Sequence, residues 1–211
     1  MSRALDMTNR SPRTLGVLLF PDFELLDVFG PLEAFGNLLM REHYRVILIA
    51  ERAGPVASAQ LARAVADYGL ADCPRLDMLL VPGGLGTRRE VDNAALTEWI
   101  AARAVEAEIV TSVCTGAALL ARAGVLDGHR ATTNKRAFEW VVSQGPRVEW
   151  VHRARWVDDG KFVTSSGVTA GMDMALAVIA RTVDEATAER IARLMEYEWH
   201  RNPDDDPFAL A

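Results

Sequence analysis

The chain contains two cysteines, Cys73 and Cys114, in different settings. Cys114 ends the apolar run Glu108-Ile109-Val110-Thr111-Ser112-Val113 and precedes Thr115-Gly116-Ala117-Ala118-Leu119-Leu120, so it stands where a buried strand turns directly into a helix. Unpaired amides at a helix start favour a thiolate, the nucleophilic form of the side chain. A buried, inert cysteine is the competing expectation, since this residue type packs well inside proteins. Cys73, in Ala71-Asp72-Cys73-Pro74, has no helix end approaching it and reads as a packing residue.

A nucleophile needs a group that moves protons. Asp27 lies in Phe23-Glu24-Leu25-Leu26-Asp27-Val28-Phe29-Gly30-Pro31, just after the first apolar run, and its neighbours Leu26 and Val28 suggest partial burial. Two uses are open: capping a following helix, or supplying a proton beside the cysteine. The residues alone favour the cap, and Glu24 reads as a solvated turn residue. Pro82-Gly83-Gly84-Leu85-Gly86 could present backbone N–H groups to a developing anion, or could be only a turn. The full GxGxxG fingerprint is missing. His43, His129, His152 and His200 stand in no nucleophile–base motif, and no Cys/His spacing resembles a zinc site.

The elements that must position these residues follow from apolar patterning. Thr14 to Phe20 is a near-continuous apolar run, as expected of a strand buried on both faces. Gly30-Pro31 is expected to open a helix, with Leu32, Phe35, Leu38 and Leu39 at helical spacing. Strands follow at Tyr44 to Ala50, Met78 to Val81 and Glu108 to Val113, with a hairpin or excursion between Gly54 and Cys73. Helices are expected around Ala95 to Val105 and Ala117 to Ala123. Short strands at Arg130 to Thr133, Val148 to Val151, Arg155 to Val157 and Phe162 to Thr164 surround a helix near Phe138, and Asp158-Asp159-Gly160 signals a hairpin. Helices Ala170 to Arg181 and Glu185 to Trp199 close the chain. The alternation predicts an α/β fold with a mainly parallel sheet, whose ligand sites lie at the carboxyl ends of the strands. Cys114 and Gly83-Gly84 both fall there.

At 211 residues and 50% hydrophobic, the chain suits one large domain: residues 1–13 are expected to be a flexible polar extension and residues 14–211 the domain. A net charge of -6 gives no basic footprint, so nucleic acid is not an expected partner. No segment reads as a signal peptide or a membrane span, and two cysteines make no disulfide framework; a reducing cytoplasm is the expected setting.

Val81-Pro82-Gly83-Gly84, Ser112-Val113-Cys114-Thr115-Gly116-Ala117, Ala123-Gly124-Val125-Leu126-Asp127-Gly128 and Ala131-Thr132-Thr133 together resemble the ThiJ/PfpI superfamily, over nearly the whole chain from Leu15 to about Tyr197. The resemblance implies a flavodoxin-like three-layer sandwich, a nucleophile-elbow cysteine at Cys114, an acidic partner at Asp27 and a homodimer. Leu18-Leu19-Phe20-Pro21, Leu26-Asp27, Gly30-Pro31 and Thr111 to Gly116 are further similar to the isonitrile hydratases. That similarity raises Asp27 from cap to catalytic acid, Gly84 to amide donor with Gly83 beside it, and Thr115 to a group positioning water. Many relatives place histidine after the paired threonines, where this chain has Asn134. Asparagine exchanges no proton at neutral pH, which disfavours chemistry that needs a cysteine–histidine pair.

The resulting expectation is hydration of an isonitrile to an N-substituted formamide through a Cys114 thioimidate, with Asp27 as acid and base and no metal or organic cofactor. The rivals are a glyoxalase-like activity on ketoaldehydes and a non-enzymatic redox sensor or stress-protective protein built on an exposed, low-pKa cysteine.

Overall fold

The computed structural model describes residues 12–37, 40 and 42–209. At its centre β1 (Arg13–Leu18) runs parallel between β2 (Tyr44–Ala50) and β6 (Met78–Val81). β3 (Gly54–Ala57) and β4 (Arg63–Ala66) form an antiparallel hairpin, and β5 (Tyr68–Gly69) adds to the free side of β2. On the other side, β7 (Ile109–Ser112) pairs parallel with β6, followed by β11 (Phe162–Ser165), which pairs antiparallel with β10 (Trp156–Asp159). The sheet has seven strands in the order β10-β11-β7-β6-β1-β2-β5, all parallel except the β10 edge. Two further two-residue strands, β8 (Arg130–Ala131) and β9 (Glu149–Trp150), pair with each other beside it.

Every residue of β6, β7 and β11 is buried, so both faces of the sheet are covered. One group of helices comprises α1 (Leu25–Phe35), α6 (Ala170–Thr182) and α7 (Glu185–Leu194), and a second α2 (Thr87–Glu90), α3 (Ala94–Glu106), α4 (Gly116–Arg122) and α5 (Phe138–Gln144). Leu15, Val17, Leu18, Leu79, Leu80 and Val110 fill the sheet interior with essentially no exposure. Each such side chain stabilises the fold by roughly 1.5–3 kcal/mol through burial.

Most expected elements appear within a residue or two of their apolar runs. The first helix does not: it starts at Leu25, ahead of Gly30-Pro31, and carries Pro31 in its interior. Pro31 lacks the N–H that would bind the Asp27 carbonyl, and the helix forms regardless because its face carrying Asp27, Val28, Ala34 and Phe35 is buried. Leu38 and Leu39 lie outside the described residues, and α1 ends at Phe35 with Gly36 as its C-cap. Of the expected extension over residues 1–13, residues 1–11 also lie outside the described residues, while Arg13 already belongs to β1. The last helix stops at Leu194, short of Trp199.

Candidate functional site

Cys114 follows β7 and precedes α4 with a backbone φ of 55°, the left-handed region that non-glycine residues avoid. The surroundings hold this strained corner. Its amide donates to the carbonyls of Ser165 and Ser166 at 3.2 and 3.0 Å, and its carbonyl accepts the Thr133 hydroxyl at 2.8 Å. Backbone strain at a strand-to-helix turn is what makes a nucleophile elbow, because it swings the side chain clear of the sheet.

Asp27 sits in the first turn of α1, completely buried. It does not cap the helix: the N-cap is Glu24, whose side chain makes no capping bond. Instead Asp27 Oδ2 accepts the backbone N–H of Gly83 at 2.9 Å, while Oδ1 has no hydrogen-bond partner. Burial pushes the carboxyl up to about 8, against the Gly83 bond, with the Glu24 charge raising it further and the neighbouring Cys114 thiol lowering it slightly. An orphaned buried carboxylate oxygen is costly, and a proton there removes the cost.

Cys114 is 7% exposed, and its thiol is pushed well up, first by burial and then by the Asp27 charge. The amide and hydroxyl of Thr115 and the amide of Val168 work in the opposite direction. This corrects the expectation of an exposed, low-pKa thiolate. A short helix start cannot outweigh the loss of solvent around the sulfur and a carboxyl facing it. Two acids that disfavour each other's charge titrate as a pair, so a state with one shared proton lies between two macroscopic steps.

The glycine loop brings these groups together with the amides of Gly83 and Gly84 both engaged. Gly83 gives its N–H to Asp27, and a Cβ there would lie 2.6 Å from the Thr115 nitrogen. Gly84, at φ 130°, gives its N–H to Thr115 Oγ1 at 3.1 Å, and a Cβ there would lie 2.4 Å from the Asp22 carbonyl. Thr87 Oγ1 also bonds Thr115 Oγ1 at 3.1 Å. The glycines therefore address Asp27 and Thr115 in this structure, whereas the expectation aimed Gly84 at a reaction intermediate.

Above the sulfur lies a cavity of about 360 Å³, whose lining includes Glu24, Leu85, Arg88, Asn134, Arg136 and Val168. Asn134 caps the single turn Lys135–Ala137 by accepting the Ala137 N–H at 3.1 Å. No histidine lines the cavity: His129 pairs with Asp159 and His152 packs edge-on against Phe138. Val168, at φ 28°, was not marked in the sequence; its signal is the strand-to-helix switch Ser165-Ser166-Gly167-Val168-Thr169 at the same sheet edge. Arg88 and Arg136 went unmarked too, because exposed arginines carry no pattern. Cys73 is buried; its thiol donates to the Pro74 carbonyl and its own carbonyl accepts from Arg103, as in a packing residue. Among the described residues no group of three or more His, Cys, Asp or Glu is gathered as a metal site, and no helix is long and apolar enough to cross a membrane.

A strained cysteine elbow over a flavodoxin-like sheet, faced by a carboxyl from the first strand–helix junction, defines a class, and the DJ-1/PfpI family model matches residues 13–181. The chain belongs to that family. It is 34% identical to the isonitrile hydratase of Pseudomonas putida over 183 residues, 87% of this chain and 78% of that protein. It is 32% identical to the HTH-type transcriptional regulator GbdR of Pseudomonas aeruginosa over 93% of this chain, and spans about half of that protein, 54%. Among solved structures, a ThiJ/PfpI family protein from Pseudomonas syringae matches with a TM-score of 0.78 at 30% identity, covering 98% of this chain and 83% of that one. Drosophila melanogaster DJ-1beta shares the fold at a TM-score of 0.77 and 17% identity, covering 89% of this chain and all of that one.

Proposed function

We propose that this chain hydrates isonitriles to N-substituted formamides. The observation that carries the reading is the pairing of the Cys114 elbow with the buried Asp27 carboxyl in a cavity without histidine. An isonitrile carbon needs a nucleophile and a proton delivered to the same atom. A cysteine–carboxyl pair sharing one proton supplies both.

Cys114 sulfur bonds to the terminal carbon while Asp27 takes the thiol proton and passes it to that carbon, giving a thioimidate, R–N=CH–S. Water adds to the carbon with a proton moving to nitrogen. The C–S bond then breaks, the hydroxyl proton returns to the Asp27–Cys114 pair, and R–NH–CHO leaves. Thr115, whose amide and hydroxyl favour the sulfur anion, steadies the leaving thiolate. Gly83 and Gly84 act through Asp27 and Thr115, as their hydrogen bonds suggest. The similarity to the Pseudomonas putida isonitrile hydratase supports this chemistry.

We take the assembly to be a homodimer, as the resemblance implies. Leu26 and Phe29, exposed at 38% and 43% on α1, suit a face covered by a second copy, and sedimentation tests it. Two free cysteines suit a reducing cytoplasm.

Purified protein with phenyl isocyanide should yield N-phenylformamide, and Cys114→Ala should yield none. A non-enzymatic reading is favoured by the identity to GbdR. It gains the assignment if the wild-type protein converts no isonitrile and no ketoaldehyde.

A further inference from the structure

We propose that the substrate's substituent, the part attached to the isonitrile nitrogen, carries a negative charge held by Arg88 and Arg136. For the reaction this rests on the hydratase reading; for the charge of the bound molecule it stands on the cavity alone.

Both arginines line the cavity that contains Cys114. Neither has a carboxylate within ion-pair distance among the described residues, where thirteen arginine–carboxylate contacts occur elsewhere, Arg89 next to Arg88 among them. The Arg88 guanidinium is instead stacked 4.2 Å over the Trp140 ring, which holds its plane and position without neutralising it. The one acidic residue of the lining is Glu24, and its carboxylate accepts a hydrogen bond from Gln60. Two guanidinium charges against one carboxylate leave the lining cationic, in a chain whose net charge is -6. A local field opposite in sign to the whole molecule draws anions to that place and concentrates them there.

The isonitrile group itself is uncharged overall and gives a guanidinium little to bind. A carboxylate on the substituent gives it charge-assisted hydrogen bonds in the planar geometry that arginine matches best. Room is available: a second cavity of about 350 Å³ shares Asn134, Arg136 and Val168 with the first, so Arg136 stands at the boundary of the two. The substituent can extend past Asn134 while its anionic end stays at the arginines.

Alkylation of Cys114 tests the charge independently of turnover. Iodoacetate and iodoacetamide react alike, sulfur displacing iodide as the S–C bond forms, and differ in charge. The iodoacetate-to-iodoacetamide rate ratio at Cys114 should fall at least ~10-fold in the doubly substituted Arg88→Gln, Arg136→Gln protein, and should shrink in wild type as salt rises. The same ratio at Cys73 is the internal control and should not move. Turnover provides the second arm: 4-isocyanobenzoate should exceed phenyl isocyanide in kcat/KM, and the double substitution should narrow that ratio. An alkylation ratio unchanged by the double substitution overturns the inference, whatever the turnover. Equal kcat/KM for the two isonitriles in wild type also overturns it and leaves the hydratase standing. Absence of turnover with both isonitriles overturns the hydratase reading, and the alkylation arm still decides the charge.

Discussion

Asp27 accepts the N–H of Gly83 on one carboxyl oxygen at 2.9 Å and keeps the other, equally buried, without a hydrogen-bond partner. The bonded oxygen fixes the carboxyl against the glycine loop; the free one is where a proton is best accommodated. Anchor and proton carrier are thus separated within one side chain, and the anchor comes from a loop that also meets Thr115.

Replacing Asp27 by asparagine keeps an acceptor for Gly83 and removes the transferable proton. Isonitrile turnover should fall at least ~10²-fold while the fold survives. The substitution should also change how stability depends on pH. Because the folded carboxyl titrates at about 8, above its ordinary 3.8, its contribution is full below pH 3.8 and is lost as pH rises through about 8. Thermal melts should therefore show wild type losing stability relative to Asp27→Asn between pH 4 and 8, and a flat difference would return Asp27 to the ionised state.

The reactivity of Cys114 should rise as pH passes through about 8, when the Asp27 carboxyl loses its proton and becomes able to take the thiol proton during attack. Iodoacetamide labelling followed by peptide mass spectrometry should find both cysteines slow below pH 7, with Cys114 overtaking Cys73 above pH 8. In Asp27→Asn the step near 8 should disappear. Fast labelling of Cys114 at pH 6 would contradict the buried, proton-sharing pair.

Asn134 holds its turn through the Ala137 N–H, and the proposed chemistry gives it no proton to move. Asn134→Ala should cost about 0.5–2 kcal/mol of stability as a lost cap, and less than roughly tenfold in isonitrile turnover. Asn134→His should bring no substantial gain, since an imidazole near the sulfur would compete with Asp27 for the shared proton. A large gain from histidine would point to cysteine–histidine chemistry instead.

Arg155 and Asp173 form a fully buried ion pair at 2.6 Å, completed by Tyr197, the His200 amide and the nearby Asp206. The Arg155 amide also bonds the Pro203 carbonyl, which ties the C-terminal segment to the sheet edge behind Val168. Arg155→Ala strands a buried carboxylate and should cost about 3–5 kcal/mol in urea unfolding, whereas an exposed pair such as Arg122–Asp92 should cost under ~1.

Cys114 was legible from sequence because an apolar strand running straight into a small-residue helix admits only a tight corner, and the strands themselves were legible because both-face burial writes continuous apolar runs. Tyr44–Ala50 and Met78–Val81 fall where those runs predict. The start of α1 was not legible: Gly30-Pro31 carries a strong local signal for a helix opening, and packing of Asp27 and Val28 against the rest of the molecule overrides it. Asp27 read as a cap for the same reason, since its partner Gly83 is distant in sequence and no local pattern joins them. The protonation of the site was decided by tertiary structure alone. A helix start is a local feature that any reader of the chain can see, but desolvation depends on everything that closes over the sulfur and the carboxyl, and that closure reversed the expected direction for Cys114. Arg88 and Arg136 follow the same rule: two surface residues in sequence, they become neighbours of the nucleophile only when the segment after β6 and the segment after β8, a strand outside the main sheet, meet beside the Cys114 corner.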